Sequence, residues 1–151
     1  MVRFAGGAAQ ASYVARIRGL DPERCLVVAV DVGKRSAAAL VADHHGQVVA
    51  DLFEFDQTVS GLARFVTVVA DAERRAGAQS VRIGVEAAGH YHRAVATSLA
   101  RNGFDVVELN PFQVKTARVQ LGQARVKTDR QDCLAMVELL VRGAGLAAAS
   151  P

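Results

Sequence analysis

The stretch Leu26-Val27-Val28-Ala29-Val30-Asp31-Val32-Gly33-Lys34 decides the fold. Five apolar residues rich in valine suit a buried central strand. An acid then stands at the carboxyl end of that strand, where burial disfavours its charge unless something positive compensates it. Gly33-Lys34-Arg35 turns the chain, and Ser36 to Ala42 reads as a second strand. Asp43-His44-His45-Gly46 is turn chemistry, and Gln47 to Phe55 is a third strand, so the chain opens as an antiparallel meander.

Beyond this meander the hydrophobic period changes. Leu62, Phe65, Val66, Val69, Ala72 and Ala76 form a helical stripe from Val59 to Ala76, closed by Gly77. Val81 to Glu86 is a strand, Tyr91 to Arg101 a helix closed by Asn102-Gly103, and Asp105 to Leu109 another strand. Asn110-Pro111 supplies a cap and a first helical residue. Thr128-Asp129-Arg130-Gln131 is a capping-box pattern opening a last helix through about Val141. The order β-β-β-α-β-α-β-α-α predicts an α/β fold, a mixed five-stranded sheet flanked by helices. Residues 1–24 read as a partly ordered arm, 25–142 as the folded domain, and 143–151 as a flexible tail or cut linker.

Active sites of such sheets lie at the carboxyl ends of the strands, and Asp31 and Glu86 both occupy that end. Asp129 and Asp132 lie three apart in the first turn of the last helix, at the head of a stripe through Met136 and Leu139/Leu140. Two strand ends and one helix can thus gather four carboxylates around one or two hard cations. Each acid also has a plain structural reading. Asp31 would start a turn, Glu86 would be a surface strand end, and the helical pair would complement the helix dipole.

The chain has 151 residues and a net charge of +3, the composition of one globular domain. Between Pro111 and Arg130, Lys115, Arg118, Arg125, Lys127 and Arg130 face only Asp129, a surplus that exceeds the charge of the whole chain. A basic patch beside acids is an electrostatic footprint for phosphate, although a solvated helix face has the same composition. Lys34 and Tyr91 flank the two strand-end acids and complete the candidate nucleic-acid contacts.

Several classes are excluded or disfavoured. No apolar run approaches the roughly 20 residues of a membrane helix, and residues 1–24 hold no signal-peptide core. Cys25 and Cys133 make no disulfide framework and read as reduced thiols of a cytoplasmic protein. His44-His45 and His90/His92 lack the spacing of a zinc site. Gly33-Lys34 is no phosphate loop, and none of the six serines sits in a nucleophile elbow. A kinase of the actin-like superfold would share the opening hairpin but needs a second phosphate-binding hairpin that is missing.

Four segments occur in order: Val28-Ala29-Val30-Asp31-Val32-Gly33-Lys34, Glu86-Ala87-Ala88-Gly89-His90-Tyr91, Asn110-Pro111 and Lys127-Thr128-Asp129-Arg130-Gln131-Asp132. Together they resemble the amino-terminal domain of the DEDD transposases, the insertion-sequence recombinases akin to pilin-gene invertases. The resemblance implies a RuvC-like, ribonuclease-H-like fold in which Asp31, Glu86, Asp129 and Asp132 bind Mg²⁺, with Mn²⁺ as substitute. It further implies DNA as substrate, a structured bridge RNA as guide, a homo-oligomer, and a second domain supplying a nucleophilic serine. This chain is expected to end before such a domain. Ala87-Ala88-Gly89 and Asp132-Cys133 depart from the family's usual Thr-Gly and Asp-Ala but keep the carboxylates.

The leading expectation is therefore the metal-binding catalytic domain of a DNA transposase or site-specific recombinase. A stand-alone junction-resolving nuclease and a non-catalytic nucleic-acid-binding module are the rivals.

Overall fold

The computed structural model describes residues 24–122 and 128–147, with the side chains of the last two left aside. Three strands open the fold: β1 (Cys25–Val32), β2 (Ser36–Ala42) and β3 (Val48–Asp56). Next come α1 (Val59–Ala76), β4 (Ser80–Glu86), α2 (His92–Arg101) and β5 (Asp105–Leu109). Helices α3 (Pro111–Gln120) and α4 (Asp129–Val141) follow, and then the short β6 (Leu146–Ala147).

The strands form one sheet in the order β3-β2-β1-β4-β5-β6. β1, β2 and β3 pair antiparallel, whereas β4 joins β1 in parallel and β5 joins β4 in parallel. This is the α/β, ribonuclease-H-like architecture that the resemblance implied. The five expected strands are present, and β6 adds an edge strand from a segment expected to be tail. Its pairing of Val107 with Ala147 and Glu108 with Leu146 uses backbone groups, which a period-based reading of two residues cannot find. The amino-terminal arm, apart from Arg24, lies outside the described residues.

Strand alternation divides the core between the two faces of the sheet. Val28 and Val30 of β1 point to the face covered by α1 and α2, where Phe65, Val69, Val95 and Leu99 complete the packing. Val27 and Ala29 point to the other face, under Val114 of α3 and Met136 and Leu140 of α4. Because side chains alternate with period two, Asp31 belongs to the face of Val27 and Ala29. Gly84 and Glu86 of β4 share that face, since Gly84 lies directly under Leu140.

Small residues let α4 sit close to the sheet. Cys133 lies with its Sγ 3.9 Å from the carbonyl oxygen of Ala29 and 4.0 Å from that of Ala38. A Cβ at Gly84 would come within 2.7 Å of Leu140 Cδ2, so the absence of a side chain there sets the approach of the helix.

Helix ends follow the capping chemistry in the sequence. The Thr58, Asn110 and Thr128 side chains accept from Gly61, Phe112 and Gln131 N–H respectively. Gly77 ends α1 at φ 63°, where glycine escapes the steric penalty of a Cβ. Among the described residues, no helix is long and apolar enough to cross a membrane.

Candidate metal centre and nucleic-acid interface

β1 carries Asp31 at its carboxyl end, half-buried beside the turn at Gly33. The parallel register pairs Val30 with Val85, so the next position on each strand sets Asp31 beside Glu86. α4 begins above them, with Asp129 exposed and Asp132 only 6% exposed. The helical stripe expected to carry both acids inward does so at Asp132, Met136, Leu139 and Leu140, all of them buried, whereas Asp129, in the first turn, stays exposed.

Burial and three neighbouring acids act together on Asp31. The Asp31 carboxyl is pushed up to about 7 by burial first, and then by the charges of Asp129, Asp132 and Glu86. A hydrogen bond to Asp129 adds to the effect, as a proton held between two carboxylates must. Asp31 is thus the point on which the other three acids, from two distant segments of the chain, bear. Burial also drives the Cys133 thiol well above its ordinary range, with Asp31, Asp129 and Asp132 adding to it, so this thiol is no nucleophile.

The donor set is all-carboxylate oxygen, which fits a hard divalent cation rather than zinc or copper. Among the described residues, however, no group of three or more acids, histidines or cysteines is already arranged to hold a metal ion. Two contacts use oxygens that a cation would take. Asp31 shares its hydrogen bond with Asp129, and Asp132 accepts from Arg118 of α3 at 2.5 Å. The residues fit a metal in chemistry and in neighbourhood, and a cation there would have to displace these two contacts.

The raised Asp31 pKa has a stability consequence. Its folded value lies above the unfolded one, so the native state holds the proton more tightly. Without metal, Asp31's contribution to stability is complete below pH 4 and is lost as pH rises to about 7. The loss is expected to reach roughly 1–2 kcal/mol once solvent around a half-buried carboxyl is allowed for. Denaturant titrations at pH 5 and pH 8, with chelator and for both parent and Asp31→Asn, would check it: the parent should show an extra loss at pH 8 that the variant lacks.

The candidate phosphate contacts divide. Lys34 lies exposed in the turn after β1, beside Asp31 in sequence, and Lys115 is exposed on α3. Tyr91 is 43% exposed immediately before α2, not within a helix as its sequence suggests. Arg130 is exposed and pairs with Asp51 of β3 at 3.0 Å, and that carboxyl is held below its ordinary range by the Leu52 N–H first and by Arg130 second. Arg118 turns inward to Asp132, with its side chain only 13% exposed. Arg125 and Lys127 lie outside the described residues.

Two features escaped the sequence reading. The Arg118–Asp132 pair joins different helices and has no local spacing to announce it. Gly84 did carry a signal, since an isolated glycine within a strand marks a close approach, here of Leu140.

A family model described as a transposase, that of the IS110-type DEDD transposases, matches residues 28–150. Among solved structures, Thermus thermophilus RuvC in complex with a Holliday junction substrate is 17% identical, at a TM-score of 0.47. That alignment covers 75% of this chain and 90% of RuvC. The ROK hexokinase of Thermus thermophilus is 23% identical at a TM-score of 0.38, over 66% of this chain and 39% of the hexokinase. No curated protein matches the sequence.

Proposed function

The chain belongs to the IS110-type DEDD transposases, and from that membership we propose that it is the metal-dependent catalytic domain acting in DNA strand cleavage and transposition. One observation supports this reading above the others: Asp31 is pushed up to about 7 by burial together with Asp129, Asp132 and Glu86. A structural role gives no reason to gather four acids at the end of a central strand, because each adds repulsion. A site for a divalent cation does.

Asp31, Glu86, Asp129 and Asp132 would hold Mg²⁺, or Mn²⁺ in its place. The bound cation would neutralise charge developing on a scissile phosphate. The protein's own part is positioning. β1 and β4 fix two carboxylates on a rigid sheet, and the first turn of α4 brings the other two over them. Lys34 and Lys115 present exposed cations to the phosphate backbone of DNA, and Tyr91 offers an exposed ring beside it. Binding of this kind weakens steeply with salt.

The finer parts of the reading follow from the family resemblance. A structured guide RNA would share the basic surface, the active unit would be a homo-oligomer working in the cytoplasm, and a serine from another domain would complete the strand-transfer site.

Labelled four-way DNA junction incubated with the chain in Mg²⁺ or Mn²⁺ tests the proposal. Metal-dependent cutting supports it directly. Metal-dependent binding without cutting supports the composite form, in which the nucleophile comes from elsewhere. A chain that binds neither metal nor junction would overturn it.

A further inference from the structure

Arg118 is a cation that the structure draws toward the acid cluster from another helix. It reaches from the last turn of α3 to Asp132 in the first turn of α4, its Nη1 donating to Asp132 Oδ1 at 2.5 Å. Both side chains are largely buried, at 13% and 8% exposure. The geometry is incomplete in a telling way. A guanidinium satisfies a carboxylate best through two parallel bonds, whereas here the buried Arg118 Nε has no hydrogen-bond partner among the described residues. The pair therefore contains a strong charge attraction and an unmet donor.

The same carboxylate faces a second demand. Asp132 contributes to the field that raises the Asp31 pKa, so it stands within the quartet as well as against Arg118. A divalent cation among the acids would draw Asp132 with twice the charge of the guanidinium. It would also be repelled by an arginine held at the same carboxylate.

We propose that Arg118 is a positioning residue that occupies Asp132 until a divalent cation replaces it, so that the Arg118–Asp132 pair and metal loading are competing states of one site. The inference rests on the metal-centre reading above. Loading the metal frees a guanidinium that is already buried at the edge of the acid cluster and already carries an unmet donor. A substrate phosphate is the anion that can take it, through the planar fork that suits arginine to phosphate. Metal and substrate would then bind in order, with Arg118 passing from carboxylate to phosphate.

The experiment compares divalent-cation binding by the parent, Arg118→Gln and Arg118→Lys, using calorimetric titration with Mn²⁺ alone, without nucleic acid. Removing the competing charge is expected to tighten Mn²⁺ binding by roughly tenfold, whereas lysine, which keeps the charge, should stay within about threefold of the parent. A merely structural arginine gives the opposite sign, since disturbing α3 against α4 would weaken binding in both variants. Should Arg118→Gln fail to fold, the parent still decides the matter. The side-chain nitrogen resonances of Arg118 should shift on Mn²⁺-free Mg²⁺ addition as the Asp132 contact breaks. Mg²⁺ or Mn²⁺ binding with those resonances unmoved, or with Arg118→Gln no tighter than the parent, overturns this inference and leaves the metal centre standing. No cation binding by any version overturns both.

Discussion

Asp31→Asn is expected to abolish divalent-metal binding and metal-dependent cleavage while making the metal-free protein more stable above pH 7. The other three acids all bear on Asp31, so a cation held by the proposed quartet would use it. Changes to groups that merely orient a ligand cost about 10–100-fold in metal affinity or activity. Loss of the central ligand should therefore exceed about 100-fold in both. Stability moves the other way. Asparagine cannot ionise, so it removes the repulsion that a charged Asp31 meets from Asp129, Asp132 and Glu86. The expected gain at pH 8 is roughly 1–2 kcal/mol in the metal-free state. Paired measurements of Mn²⁺ affinity and denaturant midpoint check both signs on one preparation. A variant that binds Mn²⁺ like its parent would remove Asp31 from the site.

Gly84→Val is the second large change, and it acts through the helix that carries two of the acids. A Cβ at Gly84 would meet Leu140 Cδ2, Cδ1 and Cγ at 2.7, 2.8 and 3.0 Å, closer than atoms pack. Leu140 is fully buried, so it has no open space to swing into. Valine adds two further methyl groups, and overpacking of this kind costs about 3 kcal/mol. α4 must lift from β4 to relieve it, and that moves Asp129 and Asp132 away from Asp31 and Glu86. Metal affinity should fall along with stability. Shrinking the partner should return part of both, so Gly84→Val with Leu140→Ala should show a favourable coupling of roughly 1–2 kcal/mol in a double-mutant cycle. Additive losses would mean that Leu140 is not what holds α4 at its height above the sheet.

These two residues show how differently fold and site could be read from the sequence. The valine-rich run ending in Asp31, the turn chemistry after it and the change of period at Val59 were enough for the meander, the parallel strands and the helix positions. Each rests on local signals of period, turns and caps. The inward aim of Asp132 was legible for the same reason, because a helical stripe shared with Met136 and Leu140 has only one buried direction. What could not be read depended on contacts between distant segments. β6 is two residues of backbone pairing at a sheet edge. Arg118 looked like one more cation in a basic run, and only the packing of α3 against α4 turns it toward Asp132. Arg130 likewise gains its partner, Asp51, from a strand 79 residues earlier.

The balance of charge within the site matters more than the net charge of the chain. Two features oppose the repulsion among the acids: burial and neighbouring charge favour a protonated Asp31 carboxyl, and the Arg118 guanidinium sits on Asp132. In the proposed centre a divalent cation would replace both in one event. Binding should therefore release a proton near neutral pH and stabilise the domain most where Asp31 would otherwise be charged.

The most direct test is to add Mn²⁺ to isotopically labelled protein and follow which backbone amide signals its paramagnetism broadens first. A metal held by the quartet should erase signals around Asp31, Glu86 and the turn from Thr128 to Cys133, while the amino-terminal ends of β1 and β4 and the carboxyl end of α1 persist. Broadening centred elsewhere, or none at Mn²⁺ concentrations that support cleavage, would contradict a metal centre built from these four acids.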